Sequence, residues 1–148
     1  MALAQGKILA ISISEKKGQR KHNIAKAELR VDHGMVGDAH AGNWHRQISL
    51  LGITSIELMQ AKGAPVKPGD FAENITVEGI VLYELPVGTR LRLGKEVVIE
   101  VTQIGKECHS GCEIQQQVGS CIMPTQGIFA KVIKGGCIQV GDAVEEIQ

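Results

Sequence analysis

Reactive side chains concentrate in one stretch of the 148-residue chain, Lys106-Glu107-Cys108-His109-Ser110-Gly111-Cys112. It follows an apolar, β-branched run over 96–104 and precedes a short helical pattern from Glu113 to Val118. A thiol at such a junction meets helix amides and the positive end of the helix dipole, and Lys106 and His109 place positive charge beside it. Each effect favours thiolate over thiol, the form that attacks sulfur or binds a soft metal. Cys108 is therefore the candidate nucleophile, sulfur carrier or metal ligand, with Lys106 and His109 stabilising its anion.

The other candidates are less sharply defined. Cys112 and Cys121 could share the role of Cys108, whereas Cys137, on a strand after Gly135-Gly136, reads as a packing residue. A zinc site drawing on Cys108, Cys112, Cys121 and either His109 or Cys137 is the direct rival. Structural zinc sites generally use two tight Cys pairs, and only one short pair is present. His33, His40 and His45 with Asp32 and Asp38 fall in a Gly-rich stretch, where scattered histidines more often serve turns than metals. Phe71-Ala72-Glu73-Asn74 stands before a strand; Asn74 can both donate and accept, and Glu73 can orient a donor. The basic run from Lys16 to Lys26 reads as a solvated loop, with one wall of an anion site as the sharper option. Phosphate-loop and serine-elbow motifs are absent, which removes support for nucleotide hydrolysis and esterase chemistry.

The elements that must position these groups are mostly short strands. Alternation or apolar runs predict strands over 7–14, 24–31, 46–51 and 74–77. Hairpins are predicted for 90–93 with 96–104 and for 128–133 with 137–140. A helix is predicted over about 55–62, capped by Thr54 or Ser55 and stopped at Gly63. Leu85–Leu91 and Ile138–Val144 echo each other, each a Val-Gly corner feeding a strand. Eighteen glycines mark such corners. The whole points to a single, mainly β, barrel-like domain with one to three short helices.

Composition sets outer bounds. Sixteen Lys/Arg balance sixteen Asp/Glu, and the aromatic content is 3%. Neither suits a nucleic-acid coat or a base-stacking surface. The first 46 residues carry eight basic and four acidic side chains, the remainder eight and twelve. No apolar run approaches a membrane span, and Met1–Ala4 is too short for a secretory leader. Free thiols in a reducing compartment are therefore expected rather than a disulfide framework.

Taken in order, several segments resemble one family. They are Gly37-Asp38-Ala39-His40-Ala41-Gly42, Arg46-Gln47-Ile48-Ser49-Leu50-Leu51 and Pro68-Gly69-Asp70-Phe71-Ala72-Glu73-Asn74-Ile75-Thr76. Leu85-Pro86-Val87-Gly88, the strand ending at Ile104 before Cys108, and Gly127-Ile128-Phe129-Ala130-Lys131-Val132 with Gly135-Gly136 complete the series. The chain resembles the MOSC domain, the C-terminal domain of molybdenum cofactor sulfurase, over about residues 6–147. The resemblance implies a β-barrel-like MOSC fold and a cytoplasmic role around the molybdenum cofactor (molybdopterin). It implies that Cys108 carries sulfur as a persulfide or ligates molybdenum. Arg46 and Asn74 match segments near the family's site and, with His40 and Glu73, are the candidate cofactor-binding residues. Glu107 departs from the family's common Pro before the site Cys, and the stretch to Met123 is Cys-rich, as in a compact stand-alone branch. Nothing here corresponds to the sulfurase's desulfurase domain, so pyridoxal phosphate is not expected in this chain.

The sequence thus predicts a protein that binds the molybdenum cofactor or passes sulfane sulfur to it, as a sulfurtransferase-type carrier. A cysteine desulfurase would be the donor and a molybdenum enzyme or cofactor-biosynthesis protein the acceptor. Neither nucleic acid nor membrane is an expected partner, and homo-oligomerisation is left open. The alternatives are a molybdenum-dependent reductase of N-hydroxylated compounds, with Cys108 on the metal, and a non-catalytic cofactor- or zinc-binding module.

Overall fold

The computed structural model describes residues 3–16, 21–63, 65–105 and 126–147. In chain order its strands are β1 (Gln5–Ile13), β2 (His22–Ile24), β3 (Lys26–Arg30), β4 (Gly34–Met35) and β5 (Ile48–Gly52). The helix α1 (Ile53–Ala61) follows, then β6 (Ile75–Glu78), a 3-10 turn at Leu82–Glu84, β7 (Arg90–Leu93) and β8 (Val97–Ile104). Last come β9 (Ile128–Lys134), β10 (Gly136–Gln139) and β11 (Ala143–Ile147). Cys108, Lys106, His109, Cys112, Cys121 and the helical pattern at 113–118 lie outside the described residues.

Seven strands close into a barrel in the order β1-β11-β7-β8-β9-β5-β6 and back to β1. Where β11 leaves the edge of β1, β2 takes it over, pairing through Ile11–Ile13. A second sheet, β10-β3-β4, lies beside the barrel. Period-2 alternation drives the closure: along β8, Val97, Ile99 and Val101 are buried while Val98, Glu100 and Thr102 are half-buried. The barrel core includes Ile8, Leu50, Ile75, Leu91, Ile99 and Val144.

β5 differs in being buried at every residue. Ile48 and Leu50 belong to the barrel core, while Leu51 joins Ile56 and Met59 of α1, with Phe71 and Phe129, in a second cluster. The strand is thus covered on both faces, which suits an uninterrupted apolar run. It pairs parallel to β6, with α1 in the crossover.

Most predicted strands are present, and so is the β7–β8 hairpin. Both Val-Gly corners are real: Gly88 and Gly141 have φ of +96° and +97°, and the strands they feed, β7 and β11, are neighbours in the barrel. Two expectations change. Residues 128–140 form no hairpin, because β9 stays in the barrel between β5 and β8 while β10 crosses to pair with β3. The helix is capped by Gly52, with no side-chain cap bond. It starts directly off β5, so Thr54 and Ser55 already lie inside its first turn.

Candidate functional site

Asn74 and Glu73 sit at the start of β6, where the chain enters the barrel wall. Asn74 is fully buried. Its Oδ1 accepts from the Ser49 amide at 3.0 Å and the Ser49 hydroxyl at 3.3 Å, and its Nδ2 donates to the Ser12 carbonyl at 3.2 Å. One side chain thereby ties β1, β5 and β6 together. Glu73 is also fully buried, and accepts from the Gly69 amide at 2.9 Å, the Phe71 amide at 3.2 Å and the Thr76 hydroxyl at 3.0 Å. Burial pushes its carboxyl up to about 7, against the pull of these donors. Both residues spend their polar atoms inside the wall and hold it in shape.

A second polar group fills the space between β1 and the 36–41 loop. Lys21, which the sequence places in a solvated loop, is buried. Its ammonium donates to Asp38 Oδ1 at 2.7 Å and Ser14 Oγ at 3.2 Å, and lies 3.1 Å from His40 Nδ1. The Ser14 amide also donates to Asp38 Oδ1, at 3.1 Å. Burial alone would raise the Asp38 carboxyl. The polar groups around it, His40 with its backbone amide, the Lys21 ammonium and its charge, and the Ser14 amide, outweigh it and hold the group well below the usual carboxylate range. Gly69 makes the assembly fit: its φ is +96°, and a Cβ there would lie 2.7 Å from the Lys21 carbonyl.

From His40 a polar strip leads to the end of β8. The Trp44 indole donates to the His40 carbonyl at 2.8 Å. The Arg46 guanidinium carbon lies 6.0 Å from the centre of a Trp44 ring and 5.2 Å from that of Phe129. Arg46 Nε donates to Gln103 Oε1 at 3.0 Å, and His45 Nε2 is also 3.0 Å from that oxygen. Thr102 donates its hydroxyl proton to the His45 carbonyl. Gln103 Nε2 donates to the Gly105 carbonyl at 2.7 Å. The terminal nitrogens of Arg46 and Nε2 of His40 have no partner among the described residues. The strip thus offers a cation and a hydrogen-bond donor, the equipment for an anionic or acceptor-rich ligand.

Of the residues predicted from sequence, His40 and Arg46 line this strip, while Asn74 and Glu73 sit behind it in the wall. Sequence reasoning missed Lys21, Trp44 and Gln103. The Gln103 position follows from the strand's proximity to Cys108, but the burial of Lys21 has no local signature. His33, His40, His45, Asp32 and Asp38 assemble no metal-holding cluster among the described residues. Cys137 is exposed rather than packed, since β10 turns it out of its small sheet. It lines a groove of about 320 Å³ with Lys26, Lys95, Glu96, Ile138, Gln139 and Asp142, none of which belongs to the strip.

A closed seven-stranded barrel with a donor-bearing polar strip at one strand end defines a class of small β-barrel domain. The model of the MOSC domain matches residues 37–145, and the chain belongs to that family, which is associated with the molybdenum cofactor. Solved structures with a similar fold include the YuaD protein from Bacillus subtilis, at 19% identity and TM-score 0.79, covering 99% of this chain and 98% of that one. YiiM from Geobacillus stearothermophilus is 18% identical with TM-score 0.72, covering 97% and 75%. YiiM from Escherichia coli is 17% identical with TM-score 0.66, covering 100% and 70%. Among curated proteins there is no significant match.

Proposed function

We propose that this MOSC domain binds the molybdenum cofactor at the strip and carries sulfane sulfur for it on Cys108. The observation that carries the reading is the end of the strip: Arg46, with two guanidinium nitrogens that have no partner among the described residues, is anchored through Gln103 to Gly105. Cys108 follows Gly105 by three residues. At roughly 3.5 Å per residue, chain length alone keeps it within about 11 Å. The donor set fits the cofactor's phosphate and oxo groups, since Arg46 and His40 have donors to give among the described residues. When bound, the cofactor supplies the metal centre at which sulfur is finally needed.

The chain's own step is thiol exchange. The Cys108 thiolate attacks the outer sulfur of a persulfide on a cysteine desulfurase. A sulfur–sulfur bond forms on Cys108 as the donor's breaks, the donor cysteine leaves as thiolate, and no external oxidant is consumed. Lys106 and His109 neutralise the anion, Arg46 and His40 hold the cofactor, and Asn74 and Glu73 keep the wall in register. The acceptor is a molybdenum enzyme or a cofactor-biosynthesis protein, and the exchange takes place in the cytoplasm.

Intact-mass analysis after incubation with a desulfurase and cysteine tests this. One added sulfur on the wild type and none on Cys108→Ala is the expected result. An adduct that persists in the variant moves the role to Cys112 or Cys121. Molybdenum bound at one per chain with no adduct on the wild type replaces the carrier by a reductase with Cys108 on the metal.

A further inference from the structure

Lys21 belongs to no step above, yet it is one of the few charged side chains buried among the described residues. An ammonium carries three protons and no acceptor. The acceptors within its reach among the described residues include Asp38 Oδ1 at 2.7 Å, Ser14 Oγ at 3.2 Å and His40 Nδ1 at 3.1 Å. The Ser14 hydroxyl passes its own proton on to the Lys16 carbonyl at 3.1 Å, which leaves its oxygen to accept from Lys21. Facing an ammonium, His40 Nδ1 can only accept, so the ring carries its proton on Nε2. That edge points away from Lys21, on a side chain that is 22% exposed, and has no partner among the described residues.

We infer that Lys21 is a positioning residue that fixes His40 in its Nε2–H tautomer and aims that proton into the cleft, toward an anionic acceptor. The ligand atom beside His40 is therefore electron-rich, an oxyanion oxygen. A carbonyl-type acceptor on the protein side could not do this, because it would demand the proton on Nδ1. Asp38 completes the device. It takes the shortest Lys21 bond and accepts the His40 amide at Oδ2, 3.1 Å away, which orients the backbone that carries the ring. The same Oδ2 lies 3.6 Å from Nδ1, ready to capture that nitrogen's proton if the ammonium is removed. The inference rests on the proposed cofactor site for the identity of the acceptor, but the tautomer stands on the geometry alone.

Nitrogen-15 spectra of ring-labelled protein read the tautomer directly. The wild type is expected to show a protonated Nε2 and an unprotonated Nδ1 at His40. In Lys21→Met the proton should move to Nδ1 or both nitrogens should be protonated, because Asp38 has then lost its ammonium; a role confined to packing would leave the pattern unchanged. Molybdate added to the protein tests the oxyanion, read as a shift of the His40 Nε2 resonance. Where molybdate binds, His40→Gln, which keeps a donor at the Nε2 position, should bind it at least about ten-fold more tightly than His40→Asn. A wild-type ring protonated on Nδ1, an unchanged pattern in folded Lys21→Met, or no response to molybdate overturns the inference. If Lys21→Met does not fold, the wild-type spectrum and the His40 pair decide it. Failure of the carrier reading shows instead as a missing sulfur adduct at Cys108, which leaves the tautomer measurement intact.

Discussion

Glu73 shows how a residue can matter to a site without touching a ligand. Its carboxylate gathers two amides and a hydroxyl into the loop entering β6, and that loop also bears Ala72 in a left-handed conformation, φ +64°. Because burial holds the Glu73 carboxyl near 7, above its ordinary 4.5, the folded state keeps a proton that the unfolded chain has released between those values. Stability therefore falls as pH rises from about 4.5 through 7, by an amount of order 3 kcal/mol, and levels off above. Asp38 acts in the opposite sense: its depressed carboxyl contributes stability that is lost as pH falls below its ordinary value of 3.8. Denaturant midpoints at pH 5 and pH 8 should differ in the wild type, and the difference should shrink in Glu73→Gln. A variant with an undiminished slope would assign the titration to another group. At this scale the sequence announces residue types but not their direction. Asn74 and Glu73 look like ligand groups in Phe71-Ala72-Glu73-Asn74 because their chemistry is versatile, and only the closing of β1 against β5 and β6 turns them inward. Lys21 lies in a basic run that reads as solvated, and its burial depends on Asp38, seventeen positions away.

Elements meet closely where glycine permits it, and the positions are not equivalent. Gly34 starts β4 with φ +113°, and a Cβ there would lie 2.5 Å from the Gln47 carbonyl. Gly88 has a similar φ of +96° but nothing within 4 Å of the added atom. Gly88→Ala should thus lose only the left-handed backbone penalty, about 1–2 kcal/mol. Gly34→Ala should lose that and also push β4 off the segment entering β5, for a total nearer 3 kcal/mol or more. Chemical denaturation of the two variants measures the difference, and equal losses would mean that close approach of β4 contributes nothing. The same contrast explains what was legible at this scale. Local signals suffice for β7–β8, where a two-strand pattern is joined by a tight Gly94-Lys95 turn. They fail for 128–140, where Gly135-Gly136 looks like a hairpin turn but hands the chain to another sheet. A glycine pair specifies that the backbone bends, whereas the partner strand, β3, is more than a hundred residues earlier. Cys137 is misplaced for the same reason, since the face it shows depends on which sheet β10 joins.

For the molecule as a whole, the decisive contact joins the two ends of the chain. Gln5, Gly6 and Lys7 of β1 pair with Glu145, Val144 and Ala143 of β11, and β11 pairs in turn with β7. Among the described residues no subset of earlier strands closes the barrel, because β7 and β1 have no other shared neighbour in the ring. Val144 on β11 and Ile8 on β1 are both fully buried in the barrel core, so the last strand also completes the apolar interior. Ends this distant in sequence meet only after a large loop-closure entropy has been overcome, which predicts slow folding, in the millisecond-to-second range of β-barrels. It also predicts that the strip cannot be assembled piecemeal: Arg46 and Gln103 come from opposite sides of β9, and their alignment depends on a closed ring. A chain ending after Asp142 should therefore lose its cooperative denaturation transition altogether, not merely shift it. Its Arg46–Gln103 region should exchange amide protons as fast as an unfolded chain. A truncated protein that still unfolds in one sharp transition, with a denaturant slope reduced only in proportion to the five missing strand residues, would show that the open sheet is stable by itself and that β11 is an accessory.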